Sequence, residues 1–113
     1  MTHVEILYHG NIIYGFKMEG HAGYNKQGPD VVCASLSAAS QMTINGVMDW
    51  VGVPLEECLK ENNPREAILH FEVSLSLYNN FTIHQLFRSF ELYVEMLSQS
   101  FEDYVKIERR YDP

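Results

Sequence analysis

Ile83, Leu86, Phe87, Phe90, Val94, Leu97 and Phe101 recur at spacings of three and four, so the chain from about residue 82 onward satisfies its apolar side chains only as a helix laid against another layer. The other layer is written just before it. In residues 67–78, Leu69, Phe71, Val73, Leu75 and Leu77 alternate with His70, Glu72, Ser74 and Ser76, the pattern of a strand with one wet face. Asn79-Asn80 breaks the strand, and Thr82-Ile83-His84-Gln85 matches a capping box that starts the helix. The aromatic stripe reads as core rather than as a ligand box, because its spacing is the one sheet packing requires.

The same order of strands followed by a helix occurs once before. Residues 3–9 carry Val4, Ile6 and Tyr8 on one face, and residues 12–19 carry Ile12, Tyr14, Phe16 and Met18 against Gly15, Lys17 and Glu19. Gly10-Asn11 joins them as a two-residue turn, since both positions tolerate positive φ. From Val31 to about Asp49 the period becomes helical, with Val32, Leu36, Ala39, Thr43 and Val47 on one stripe. Gly46 inside that stripe indicates close packing or an early fraying end. Residues 50–64 read as a short edge strand around Leu55 to Lys60, and residues 104–110 as a closing strand whose Arg109-Arg110 pair is a solvated terminus. Two such blocks predict an α+β fold, a two-layer sandwich with a mostly antiparallel sheet and both helices packed on one face. At 113 residues the whole chain, 1–113, is expected to be a single domain with one core and at most one active site.

Charge and composition narrow the function classes. Fifteen acidic against eight basic residues leave a formal charge of −7, which repels a phosphate backbone and favours a basic partner. Direct nucleic-acid binding is therefore not expected. The N-terminal segment has no signal-peptide pattern, and no run of about 18 apolar residues stands out, so a cytoplasmic location without membrane contact is expected. There, Cys33 and Cys58 are expected as free thiols, and neither cysteine nor histidine spacing suggests a metal site. No cofactor is expected.

The chemistry concentrates between residues 20 and 37. His21 ends a strand, and Cys33 follows Asp30, the natural N-cap of the first helix. Cys33 is then the third residue of the helix, where unpaired N–H groups and the helix dipole favour a thiolate, and an imidazole nearby completes a nucleophile. Asp30 either caps the helix or orients His21; the sequence leaves both open. Ser37 and Ser40 line the helix face that bears the thiol, positioned to meet a peptide group or oxyanion or simply to bond a carbonyl one turn back. Gly20, Gly23, Gly28 and Pro29 suggest a connection that opens and closes, with Tyr24 covering a hydrophobic substrate side chain. Cys58 reads as a buried small hydrophobe, and His3, His9, His70 and His84 as surface or sheet residues.

Gly-His-Ala-Gly at 20–23, Asp-Val-Val-Cys-Ala at 30–34 and a serine four residues after the cysteine resemble the ribosomal-processing cysteine protease family of bacteria. The likeness runs over nearly the whole chain. It implies a small homodimeric endopeptidase that removes the N-terminal extension of the twenty-seventh large-subunit ribosomal protein, cutting after a pair of aromatic residues. By position His21 would be the general base, Cys33 the nucleophile, and Asp30 and Ser37 supporting polar residues. Lys26 and Pro29 stand where many members are expected to carry acidic residues. Two rivals remain: a noncatalytic acidic module binding the ribosomal protein or an assembly intermediate, and a thiol redox sensor, which would lack a nearby resolving cysteine.

Overall fold

The computed structural model describes residues 1–25, 30–74, 76 and 80–112. Strands β1 (Thr2–His9) and β2 (Ile12–Glu19) form the opening hairpin, and helix α1 (Val31–Val51) follows. A hairpin of β3 (Leu59–Asn63) and β4 (Ile68–Glu72) leads to helix α2 (Phe81–Ser100) and strand β5 (Val105–Asp112). The five strands make one sheet in the order β3-β4-β2-β1-β5. Only β1 and β5 run parallel; the other pairings are antiparallel. The two helices pack on each other over one face, as the sequence implies.

Phe16 is the centre of the core: its ring lies 4.4 Å from that of Phe90, 6.0 Å from Phe71 and 6.2 Å from Phe87, centroid to centroid. Burying each such phenylalanine contributes roughly 1.5–3 kcal/mol, so this four-ring contact helps hold α2 on the sheet. Gly46 of α1 is there for contact rather than fraying. A Cβ at that position would come within 3.2 Å of Leu86, so glycine lets α1 approach α2.

Several local expectations are corrected. Between Leu7 and Tyr8 the ladder slips, so that Gly15 pairs with Leu7 and Ile13 with Tyr8. Tyr14 is the extra residue of this bulge; Ile13 is fully buried, and the Tyr14 hydroxyl reaches Asp112 of β5. Strand β4 ends at Glu72, well short of residue 78. The hydroxyls of Ser74 and Ser76 bond each other at 3.0 Å, the kind of local bonding that competes with a ladder; Leu75 and Leu77 lie outside the described residues. The cap of α2 is Asn80, not Thr82, because its side-chain oxygen accepts from the amides of Thr82 and Ile83. Leu55–Glu57 is a single 3-10 turn, and the edge strand of this region begins only at Leu59.

The arginine pair is no loose terminus. Arg109 bonds Glu91 at 3.0 Å and Glu95 at 2.9 Å, while Arg110 pairs with Glu5 and Asp112. Helix α1 is also longer than expected, and its 21 residues, which include an 18-residue window of mean hydropathy 1.2, are long and apolar enough to span a bilayer. Here Val32, Leu36, Ile44 and Val47 are buried in the sandwich core.

Candidate active site

Asp30 does the work of a cap. One carboxylate oxygen accepts from the amides of Val32 and Cys33, each at 3.0 Å, and the other from the amide of Tyr24 at 3.0 Å. The open choice between capping and orienting His21 is thus resolved toward capping: among the described residues no bond joins Asp30 to His21. Burial pushes this carboxyl up. The hydrogen bonds from the Cys33 amide and side chain and from Tyr24 and Val32 outweigh it, so the group lies below the usual carboxylate range.

A depressed carboxyl stabilises the fold above its unfolded value, near ~3.9, and loses that contribution as pH falls through the lower folded value. Asp30→Asn keeps a capping oxygen but cannot titrate. It should flatten the acid side of a denaturation series run below about pH 5, whereas Asp30→Ala should cost about 1 kcal/mol at neutral pH.

The cap sets Cys33 in the first helical turn, half-buried and packed against the edge of the core beside Leu36. Its sulfur accepts a hydrogen bond from the amide of Ala22 at 3.3 Å. A thiolate accepts such a bond more strongly than a thiol does. Ala22 is buried, so the backbone immediately after His21 is fastened to the nucleophile candidate.

His21, Gly20 and Cys33 line one cavity of about 410 Å³, together with Ser37 one turn along α1. It is lined by the apolar Met18, Leu36, Ile44, Leu59 and Leu69 and by the polar Ser37, Gln41, Asn62 and Asn63. This is the ordinary composition of a ligand pocket, apolar walls with a few convergent polar groups. Ser40 also lines it, but its hydroxyl donates back to the Ser37 carbonyl at 3.0 Å, the local bonding expected of a helical serine.

The remaining candidates divide. Gly23 has φ +74° with open space around it, a conformation that lets the chain turn between His21 and the cap. Tyr24 does not line the cavity. Its ring stands edge-on to Phe101 at 5.4 Å and Tyr104 at 5.2 Å, so the connection is docked on the far end of α2. Lys26, Gln27, Gly28 and Pro29 lie outside the described residues, and with them the rest of the expected opening segment.

Cys58 is only 2% exposed, and burial pushes its thiol up. His70 bonds Glu72 at 3.0 Å across one strand face, and His84 of α2 accepts the amide of Ile13 at the bulge. Among the described residues no cluster of three or more His, Cys, Asp or Glu gathers as a metal site. Sequence reasoning missed the far wall of the cavity, supplied by β3 and the turn after it. Nothing in residues 59–67 marks them as site-lining, since they reach α1 only through sheet topology.

A family model described as Cysteine protease Prp matches residues 1–106. The chain belongs to the cysteine protease Prp family. Solved structures agree on the fold. An essential ribosomal processing protease Prp from S. aureus, in complex with a covalently linked product peptide, superposes with a TM-score of 0.84 at 16% identity, covering 97% of this chain and all of that one. The same S. aureus Prp with a substrate peptide gives 0.79 at 15% identity over 97% and 100%. SMU.848 from Streptococcus mutans gives 0.79 at 17% identity over 99% of each chain. A comparison with curated proteins finds no match. Identities this low carry the Prp fold, a mixed five-stranded sheet under two helices.

Proposed function

We propose that this Prp-family cysteine protease is an endopeptidase that trims the N-terminal extension from a ribosomal protein, the twenty-seventh of the large subunit, by cutting after an aromatic pair. His21 is its general base and Cys33 its nucleophile, and it works in the cytoplasm as a homodimer without a cofactor. The observation that carries this reading is that His21 and the first-turn residue Cys33 line the same cavity. The relatives with peptide bound support it, since one is a ribosomal processing protease in complex with a substrate peptide. The cavity's apolar walls suit an aromatic side chain, and a chain of net charge −7 suits a basic ribosomal substrate.

The reaction follows from the residues. His21 takes the Cys33 proton, and the sulfur attacks the scissile carbonyl carbon to form a tetrahedral adduct. As the C–N bond breaks, the imidazolium returns its proton to the leaving amine and a thioester remains. His21 then deprotonates a water that attacks this thioester, which releases the new carboxylate and restores the thiol. Asp30 holds the helix start and the chain segment around Tyr24, and Ser37 meets the substrate beside the sulfur.

The test is incubation with a ribosomal protein carrying its N-terminal extension, followed by mass. Two products separated after the aromatic pair are expected. Binding without cleavage would instead favour the noncatalytic acidic module, and an activity switched by reversible oxidation would favour the redox sensor.

A further inference from the structure

His21 lacks something that histidine bases usually have. Among the described residues no hydrogen bond holds its imidazole, which is solvent-exposed at the mouth of the cavity. Its placement therefore comes from its backbone. On one side Ala22 is tied to Cys33 through its amide. On the other side stands Gly20, the first residue beyond β2, and its peptide groups are held at both ends.

The Gly20 amide donates to the Ala67 carbonyl at 2.9 Å, and the Gly20 carbonyl accepts from the Thr2 hydroxyl at 3.0 Å. That carbonyl belongs to the peptide plane that enters His21. Gly20 itself has φ +94°, and a Cβ there would meet the Met1 carbonyl oxygen at 2.5 Å, so the segment lies directly on the start of β1. Thr2 is as well anchored as a side chain can be near a chain end: it is 4% exposed, pairs with Val105 of β5 and donates its amide to Tyr104 at 2.9 Å.

We propose that Thr2 is a positioning residue for His21, its hydroxyl fixing the Gly20–His21 peptide plane and so aiming the imidazole at Cys33 where no side chain orients the ring. This rests on the protease reading of the site, and it adds a residue eighteen positions from Gly20 that lacks any acid–base chemistry of its own. The hydroxyl matters, not the bulk. Valine has the same shape and leaves the Gly20 carbonyl without its donor, so the plane is free to turn.

The test compares Thr2→Val with Thr2→Ser in two assays. With an N-terminally extended peptide, Thr2→Val should lower kcat by about 10- to 100-fold, the scale of a small misplacement of a catalytic group, with KM changed less than about twofold. Thr2→Ser should recover most of that loss. The second assay is the rate of Cys33 alkylation by iodoacetamide across the near-neutral range, which needs no substrate. Thr2→Val should change its pH profile in the parent background and should change nothing further in His21→Ala, through which it acts.

A parent-like kcat and alkylation profile in Thr2→Val overturns the proposal. So does Thr2→Ser as impaired as Thr2→Val, which would show that the methyl group and packing matter instead, and so does an additive loss on top of His21→Ala. Circular dichroism sets an assay temperature at which each variant is folded. Should the parent cleave nothing, the protease reading falls by itself and the alkylation arm still decides the role of Thr2.

Discussion

Cys33→Ala is expected to cut nothing: cleavage should fall by at least about 10³-fold, the scale seen when a covalent nucleophile is removed. The reason is specific to this residue. The sulfur carries the acyl group from the first attack until water releases it, and no other side chain lining the cavity carries a thiol. Cys33→Ala leaves the buried Ala22 amide without its acceptor, a cost of about 1–3 kcal/mol, while the helix start keeps its bonds to Asp30. A circular dichroism melt that shows the variant folded at the assay temperature, together with lost cleavage, separates chemistry from folding. Cys58→Ser is the control. Cys58 is buried among core residues and does not itself line the cavity, so the variant should keep cleaving, at some cost in stability for the hydroxyl it buries.

The second large effect is on folding. Glu91 is fully buried on α2 and accepts from Tyr8 of β1 and from Arg88, while Arg109 of β5 bonds it at 3.0 Å. This carboxylate ties helix to sheet at the end opposite the cavity. Burial and then the bond to Glu91 push the Tyr8 hydroxyl up to about 12, so it donates as a neutral phenol at any physiological pH. Removing Glu91 leaves the Tyr8 hydroxyl and the Arg109 guanidinium without their buried acceptor, with Glu95 as the one carboxylate still bonded to Arg109. Glu91→Ala should therefore cost about 3–5 kcal/mol, a large share of the ~5–15 kcal/mol typical of a whole domain. Arg88 is 41% exposed and contributes little of this; Arg109 carries most of it. Urea denaturation measures the loss, and a change under about 1 kcal/mol would show that water or a neighbour replaces the bond.

Glu91 also illustrates what a sequence hides. It lies four residues after Phe87 and three before Val94, squarely on the apolar stripe of α2, and a charge on that face was the available sign that a buried partner exists. The partner itself was not legible. Arg109 reaches Glu91 because β5 pairs parallel with β1, a register fixed by tertiary packing rather than by local pattern. Local signals succeeded where local physics decides: the Gly10-Asn11 turn, the Asp30 cap and the helical stripe after it depend on residues within one turn of each other. The Leu7/Tyr8 bulge and the early end of β4 depend on neighbouring strands and hydroxyl contacts, and alternation alone overran both.

The candidate site divides in the same way. His21, Asp30, Cys33 and Ser37 stand within one continuous stretch whose turn and cap chemistry can be read residue by residue. The opposite wall, from Leu59 to Leu69, meets them only after β3 and β4 join the sheet edge. Tyr24 shows the limit on the near side too, because its aromatic neighbours Phe101 and Tyr104 come from the far end of the chain.

The central claim is that the Cys33 sulfur is activated by His21 at the start of α1. Its most direct measurement is the rate of Cys33 alkylation from about pH 5 to 9 in the parent and in His21→Ala, read by mass on the Cys33 peptide. The predicted result is two curves that separate across the near-neutral range, with the parent faster there. Superimposed curves would contradict it.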